Sequence, residues 1–354
     1  MKKKILLIPL AVLLAIGLVA IGCAKPTPTP TPTPEVEVIK WDLQCSYASG
    51  TRFYDVVQML VDEINAESGG RLVVELFPGG AIVPATKEFE GVVQGTIDAG
   101  VMAHGFNAAW FPQTSLFYQV VGGMTAVPYM MWFEAGGGDQ LVERMWATKD
   151  VVYVGTPLFH PPEIWCDSSK PLNSLADLKG FKMRTAGEAA EILTRMGASP
   201  VFLAPGEIYE AAARGVIDGL EYGGLHVNWD FGFHEVCKYI YLSPSRAPTA
   251  TSGFAVHKDT WAKLPPDLQE IVKTACKRVA LKGYAGEVVL DNIAIDKYKG
   301  AGIQLSPLPK DIEDEMYRVA AEYYDEMAAK DPFYAEIVKS QHDFMKICEL
   351  YDIH

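Results

Sequence analysis

A short phrase occurs twice in this chain and limits its architecture more than any other feature. Residues 92–100 read Val-Val-Gln-Gly-Thr-Ile-Asp-Ala-Gly, and residues 212–220 read Ala-Ala-Arg-Gly-Val-Ile-Asp-Gly-Leu. In each copy a helical stretch ends, a glycine turns the chain, and Ile-Asp enters a short strand. The surroundings repeat the theme. Residues 36–44 alternate as a strand, and residues 53–67 place Val56, Val57, Leu60 and Ile64 at helical spacing. Gly69 and Gly70 stop that helix, and residues 71–77 form a second strand. Helices are expected at 86–94, 187–196 and 207–214, and strands at 97–102, 236–242 and 252–257. The chain from Leu268 onward is mainly helical. Strands alternating with helices build a largely parallel α/β sheet. One copy of the phrase in each of two lobes places His104 and Phe106 after the first strand and Glu221 and Tyr222 after the second. Ligands in open α/β sheets lie outside the carboxyl ends of strands, so two such ends facing one another make a cleft that hinge closure can seal.

The amino terminus is separate from this fold. Lys2, Lys3 and Lys4 precede an apolar run, and Ala20-Ile21-Gly22 precedes Cys23. A basic start, a short apolar run and small residues before a cysteine make a lipoprotein signal rather than a membrane span. Residues 1–22 are expected to be removed and Cys23 lipidated. Residues 23–37 carry a Pro-Thr repeat, which excludes helix and favours an extended spacer of about 30–40 Å. No later stretch is apolar for long enough to span a bilayer. The net charge of −13 argues against a general nucleic-acid or anionic-membrane partner. Five cysteines remain after Cys23, with no CxxC pair, so neither a metal cluster nor a disulfide framework is indicated.

Catalytic signatures are lacking: no GxSxG, HExxH, Walker A or EF-hand loop occurs. Gly136-Gly137-Gly138 lacks dinucleotide-binding spacing and reads as a backbone turn. An enzyme reading would need Glu221 and a histidine to act without a nucleophile. The stronger signal is for an anion. Arg184 ends a short strand, where a guanidinium fork suits a carboxylate; the alternative is a surface arginine or an interlobe salt bridge. Glu221 beside it either holds a cation between itself and the ligand or pairs with Arg184 or Arg246. Trp165 is a core or cleft-wall candidate.

Longer motifs add a resemblance. Leu175-Ala-Asp-Leu-Lys-Gly-Phe-Lys-Met-Arg184, Met196-Gly-Ala-Ser-Pro200 and Pro205-Gly-Glu-Ile-Tyr-Glu-Ala-Ala-Ala-Arg-Gly-Val-Ile-Asp-Gly-Leu-Glu221 resemble the central motifs of TRAP-transporter solute receptors, the DctP-type family. Phe77-Pro-Gly-Gly80 and Trp261-Ala-Lys-Leu-Pro-Pro-Asp-Leu-Gln269 match in the same order, so the resemblance spans about residues 38–354. It implies a two-lobed α/β periplasmic-binding fold with a long lobe-spanning helix. It also implies a receptor that delivers an organic acid to an ion-gradient-driven membrane permease, with Arg184 gripping the carboxylate. The implied division is 38–158 with 249–305 as lobe 1, 159–248 with 306–330 as lobe 2, and 331–354 as a terminal helix.

Within the family the chain is similar to the 2-oxoacid and lactate receptors, which have Glu-Trp-Val-Gly-Pro where it has Glu221-Tyr222-Gly223-Gly224-Leu225. That branch implies a sodium or calcium ion beside the substrate, here held by Glu221, Tyr222 and Glu163, and a homodimer through the terminal helix. His104, Phe106 and Trp165 would line the cleft. Arg246 falls near another expected metal ligand; an arginine there displaces the metal electrostatically and grips a second carboxylate. The alternatives are therefore a 2-oxo- or 2-hydroxy-acid receptor with a metal, a dicarboxylate or other organic-anion receptor without one, and a sensory ligand-binding protein.

Overall fold

A computed structural model describes residues 38–353. The signal segment, Cys23 and the Pro-Thr tract lie outside the described residues. Among the described residues eleven strands form two sheets: β1 Ile39–Cys45, β2 Leu72–Phe77, β3 Ala99–Ala103, β4 Val151–Phe159, β5 Cys166–Ser168, β6 Lys182–Arg184, β7 Ser199–Val201, β8 Gly219–Leu220, β9 Tyr239–Leu242, β10 Thr251–His257 and β11 Gln304–Pro307. Their orders are β2-β1-β3-β10-β4 and β11-β9-β5-β8-β6-β7.

The repeated phrase folds the same way in both sheets. Gly95 (φ 68°) and Gly215 (φ 66°) turn the chain in the left-handed region that glycine adopts without a Cβ clash. Asp98 then accepts the Asp42 amide at 3.0 Å, and Asp218 accepts the Lys182 amide at 3.1 Å. Each aspartate thus fastens its strand to the parallel neighbour, β3 to β1 and β8 to β6.

The sheets are mixed rather than largely parallel. β10 runs antiparallel to β3 and β4, and β5 runs antiparallel to β8 and β9. The reason is topological. β5 enters the second sheet directly from β4, and β10 returns to the first directly from β9. Two crossing segments, residues 160–165 and 243–250, therefore run side by side, joined by His160 N to Ala250 O (3.0 Å) and Glu163 N to Ala247 O (3.1 Å).

The helix Arg52–Glu67 buries Val56, Val57, Leu60, Val61 and Ile64 on one face. Each such side chain contributes about 1.5–3 kcal/mol when buried. The 35-residue helix Pro266–Gly300 makes the third connection. Leu268, Val272, Ala275, Cys276 and Val279 pack into the first core, while Ala294 and Tyr298 pack with Ile164, Ile240 and Ile303 beside the second sheet. Close approach to β4 depends on Gly155, where a Cβ would lie 2.8 Å from Cys276 Sγ. β11 follows this helix and pairs with β9, so residues 304 and 305, expected in lobe 1, belong to the second sheet.

The terminal helix Pro332–Leu350 docks on its own chain. Gln341 Nε2 donates to Leu116 O at 2.6 Å, the Tyr334 hydroxyl to Glu188 Oε1 at 2.9 Å, and Trp132 Nε1 to Ser340 Oγ at 3.0 Å. Cys45, Cys166, Cys237, Cys276 and Cys348 are free and buried. Among the described residues no helix is long and apolar enough to cross a membrane.

Candidate functional site

Arg184 is the last residue of β6, and Glu221 directly follows β8, its parallel neighbour. The pairing brings both residues to the carboxyl ends of adjacent strands. Arg184 Nη1 donates to the Glu221 carbonyl at 2.6 Å and lies 3.3 Å from Glu221 Oε1, while Nε donates to Leu203 O at 3.2 Å. Nη2 has no hydrogen-bond partner among the described residues. The guanidinium carbon sits 5.7 Å from the Tyr222 ring centroid and 5.8 Å from that of Phe202. Aromatic faces on a cation hold its orientation without using its N–H groups. Nε and Nη1 are thus held by the protein, and Nη2 is left for a ligand.

Both crossing segments add a charge. Arg246, from residues 243–250, is fully buried. Its Nη2 donates to Glu163 Oε2 at 2.8 Å and to Ile164 O at 2.9 Å, and Nε donates to Trp165 O at 3.3 Å. Nη1 lies 3.3 Å from Glu221 Oε2. The guanidinium therefore bridges Glu163 and Glu221, and Glu221 pairs with both arginines. Glu163 Oε1 accepts from Gln119 Nε2 at 2.6 Å, and Glu221 Oε1 accepts the Ala186 amide at 2.8 Å.

Burial acts strongly on these groups, because it disfavours the charged form of an acid. It raises Glu163, with Arg246 opposing. Burial raises Glu221 too, but Arg246 and Arg184 outweigh it and hold that carboxyl below its usual range. The Tyr222 phenol is pushed up to about 12 by burial and stays neutral. Tyr118 is held well above its ordinary value by burial and by Glu163 and Glu221.

An aromatic seam covers the cluster from the first sheet's side. The Phe53 ring lies 4.4 Å from His160, 5.1 Å from Tyr47 and 6.5 Å from Tyr222, centroid to centroid. The Tyr47 and Ser252 hydroxyls share a hydrogen bond. Phe53 lies on the helix Arg52–Glu67, which packs on the first core, and Tyr222 follows β8 of the second sheet, so their contact joins the two sides.

Of the residues singled out from sequence, Arg184, Glu221, Tyr222, Glu163 and Arg246 come together. His104 does not join them. It is fully buried among Phe117, Phe133, Trp146 and Tyr153, its Nε2 is 3.4 Å from Thr156 Oγ1, and burial pushes its imidazole down to about 3. It is a neutral core residue because the turn after β3 folds inward onto aromatics from later in the chain. The Trp165 ring is also core: Nε1 donates to Met316 Sδ, and only the backbone carbonyl reaches Arg246. Phe106 is half-buried in the one-turn helix His104–Asn107. Sequence reading missed Gln119, Tyr118, Tyr47, Phe53 and the His160–Glu287 pair. No local motif marks them, since each reaches the site through a crossing segment or lobe closure.

The donor set fits a metal ion poorly. Each carboxylate oxygen of Glu163 and Glu221 already faces an N–H donor or a guanidinium. No group of three or more His, Cys, Asp or Glu among the described residues is arranged to hold a metal. An added cation would also face the Arg246 charge, and two like charges 4 Å apart repel by about 4 kcal/mol at an effective dielectric of 20.

Similarities to known proteins bear on the whole chain. A solved TRAP periplasmic solute-binding protein from Colwellia psychrerythraea, with bound calcium and pyruvate, matches with a TM-score of 0.85 at 27% identity; the match covers 89% of this chain and 96% of that one. Another, from Pseudoalteromonas atlantica with bound sodium and pyruvate, matches with a TM-score of 0.84 at 25% identity over 89% and 96% of the two chains. The monocarboxylate 2-oxoacid-binding periplasmic protein of Nostoc sp. is 24% identical over 309 residues, 87% of this chain and 84% of that protein. The model of bacterial extracellular solute-binding proteins, family 7, matches residues 46–331, and the chain belongs to that family, the extracytoplasmic solute receptors of TRAP transporters rather than enzymes.

Proposed function

We propose that this receptor captures a small 2-oxo- or 2-hydroxy acid between its lobes and hands it to the permease of a TRAP transporter. The observation that carries the reading is Arg184: buried, clamped by Glu221 and Leu203, flanked by Tyr222 and Phe202, with its Nη2 free. A guanidinium held in this way is preorganised for a carboxylate, since the ligand need not order it on binding. Glu221 aligns the fork, and Tyr222 covers it. Capture needs recognition and closure but no bond breaking.

Thermal-shift and calorimetric titration with pyruvate, lactate and malonate tests this, together with mass spectrometry of acid co-purified with the protein. Arg184→Ala is expected to weaken binding by roughly 100-fold or more while the circular dichroism spectrum is kept. Retained affinity in that variant overturns the assignment.

The same reading carries the tether. Signal cleavage before Cys23, lipidation at that residue and the Pro-Thr spacer would hold the receptor near the permease. Cys23→Ala should move the protein from the membrane fraction to the soluble one. A homodimer through the terminal helix would use the face carrying Ile347, Leu350 and Tyr351, all exposed; light scattering of Ile347→Glu against the parent tests it.

A further inference from the structure

We propose that Arg246 is the resident cation of this site: its guanidinium supplies the positive charge between Glu163, Glu221 and the ligand, and its Nη1 takes the ligand's second oxygen, so that capture needs neither sodium nor calcium. This rests on the carboxylate-receptor reading above and deepens it. Two relatives hold a metal ion together with pyruvate. Here the position between two buried carboxylates is taken by a side chain, with Nη2 at 2.8 Å from Glu163 Oε2 and Nη1 at 3.3 Å from Glu221 Oε2. The pair also joins the two crossing segments, so the charge is built into the hinge.

A second observation points to the ligand. Arg246 Nη1 is buried yet makes no hydrogen bond; its approach to Glu221 is ionic contact without donor geometry. Every other N–H-bearing nitrogen of that guanidinium is engaged. A buried donor left unpaired is costly, and an entering acceptor removes the cost. Arg184 Nη1 and Arg246 Nη1 both approach the Glu221 carboxylate, at 3.3 Å from Oε1 and 3.3 Å from Oε2, which gathers the free Arg184 Nη2 and the unpaired Arg246 Nη1 around one residue. They define two separate donors for one small molecule, one for its carboxylate and one for a second oxygen.

The exchange of a metal for a guanidinium has chemical consequences. A calcium ion accepts six to eight oxygens in flexible geometry, whereas a guanidinium is planar and offers donors in fixed directions. The ligand class is therefore a small carboxylate with a second planar acceptor: a 2-oxo acid, or a short dicarboxylate. An arginine also keeps its charge at any working pH and cannot be chelated away.

The test uses the mature protein titrated with pyruvate and with malonate, in chelator and choline buffer, then with sodium, then with millimolar calcium. Affinity is expected to change by less than about twofold across these conditions. Tightening by about tenfold or more with either metal overturns the role of Arg246 while leaving the receptor reading intact. Failure of both acids to bind under every condition overturns the receptor reading and this inference with it.

Glu163→Gln/Arg246→Gln removes both partners of the pair at once, leaving no buried charge unpaired between them. The amide carbonyls beside Glu221 then offer a cation neutral oxygen donors. Binding by this variant is expected to become dependent on sodium or calcium by about tenfold. A variant that folds and binds as tightly as the parent without metal overturns the assignment.

Discussion

His160 Nδ1 lies 2.8 Å from Glu287 Oε2, and both side chains are buried. His160 opens the first crossing segment, and Glu287 lies past the middle of the long helix. The pair therefore ties two of the three connections between the lobes at one point. Burial pulls the imidazole down, but the Glu287 charge and hydrogen bond outweigh it and raise the histidine above its ordinary value. A raised histidine stabilises the fold fully below its unfolded pKa, and that contribution is lost as pH rises through the folded one. In an NMR titration, His160 is expected to titrate above about 6.5. Glu287→Gln should bring it below that value. Parent-like titration in Glu287→Gln would remove the pair as the cause.

Tyr222 is expected to act through its ring rather than its hydroxyl. The ring lies over the Arg184 guanidinium and meets Phe53 across the lobes. Tyr222→Ala removes both contacts and should weaken carboxylate binding by about tenfold, in keeping with a partly desolvated cation–π contact. Tyr222→Phe should stay within about twofold of the parent. If phenylalanine behaves as alanine does, the hydroxyl touches the ligand and the ring argument fails.

How far the sequence reveals this molecule follows from the range of each interaction. The repeated Gly-x-Ile-Asp phrase is local, and its turn and strand are legible because Gly95, Gly215, Asp98 and Asp218 act within their own supersecondary unit. Arg184 and Glu221 are legible as a pair because β6 and β8 are parallel neighbours in one unit. The antiparallel β5 and β10 are not, because their direction is set by the chain crossing between sheets. Nor is the burial of His104, which depends on rings as distant as Trp146 and Tyr153. The Arg246–Glu163 bridge spans 83 positions. Arg246 stands out in sequence as a charge in a Ser/Pro-rich turn and as a candidate partner of Glu221, but its pairing with Glu163 emerges only once the two crossing segments lie side by side.

The terminal helix should be separable from ligand binding. Gly136 lies under it, and a Cβ there would come within 2.6 Å of Trp132 Cδ1 and 2.7 Å of Phe344 Cδ2. Its φ of −91° suits alanine, so the effect of Gly136→Ala is steric. Overpacking of this kind costs about 1–3 kcal/mol. The expected result is a lower Tm and faster amide exchange across Pro332–Leu350, with pyruvate affinity unchanged. Unaltered exchange in the helix would mean that Trp132 and Phe344 yield without loosening the dock.

Asp167 is expected to contribute a stability that falls as pH rises. It is fully buried on β5, accepts from Asn228 Nδ2 at 2.6 Å, and leaves Oδ1 without a hydrogen bond. Burial pushes its carboxyl up to about 7; the Asn228 hydrogen bond and the Arg246 charge oppose it. A carboxyl raised on folding is neutral in the native state while it is already ionised in the unfolded chain. Its stabilising contribution is therefore present below the unfolded value near 4 and declines as pH climbs through 7. Over that window the loss is at most roughly 4 kcal/mol, since each tenfold change in the proton equilibrium corresponds to 1.36 kcal/mol. Asp167→Asn keeps an acceptor for Asn228 and removes the ionisation. Thermal unfolding between pH 4 and 8 should give a flatter Tm profile for the variant, with parent and variant alike at the acid end and the variant more stable at the basic end. Parallel profiles for the two proteins would show that Asp167 is ionised in the native state, with its charge met by Asn228 and Arg246.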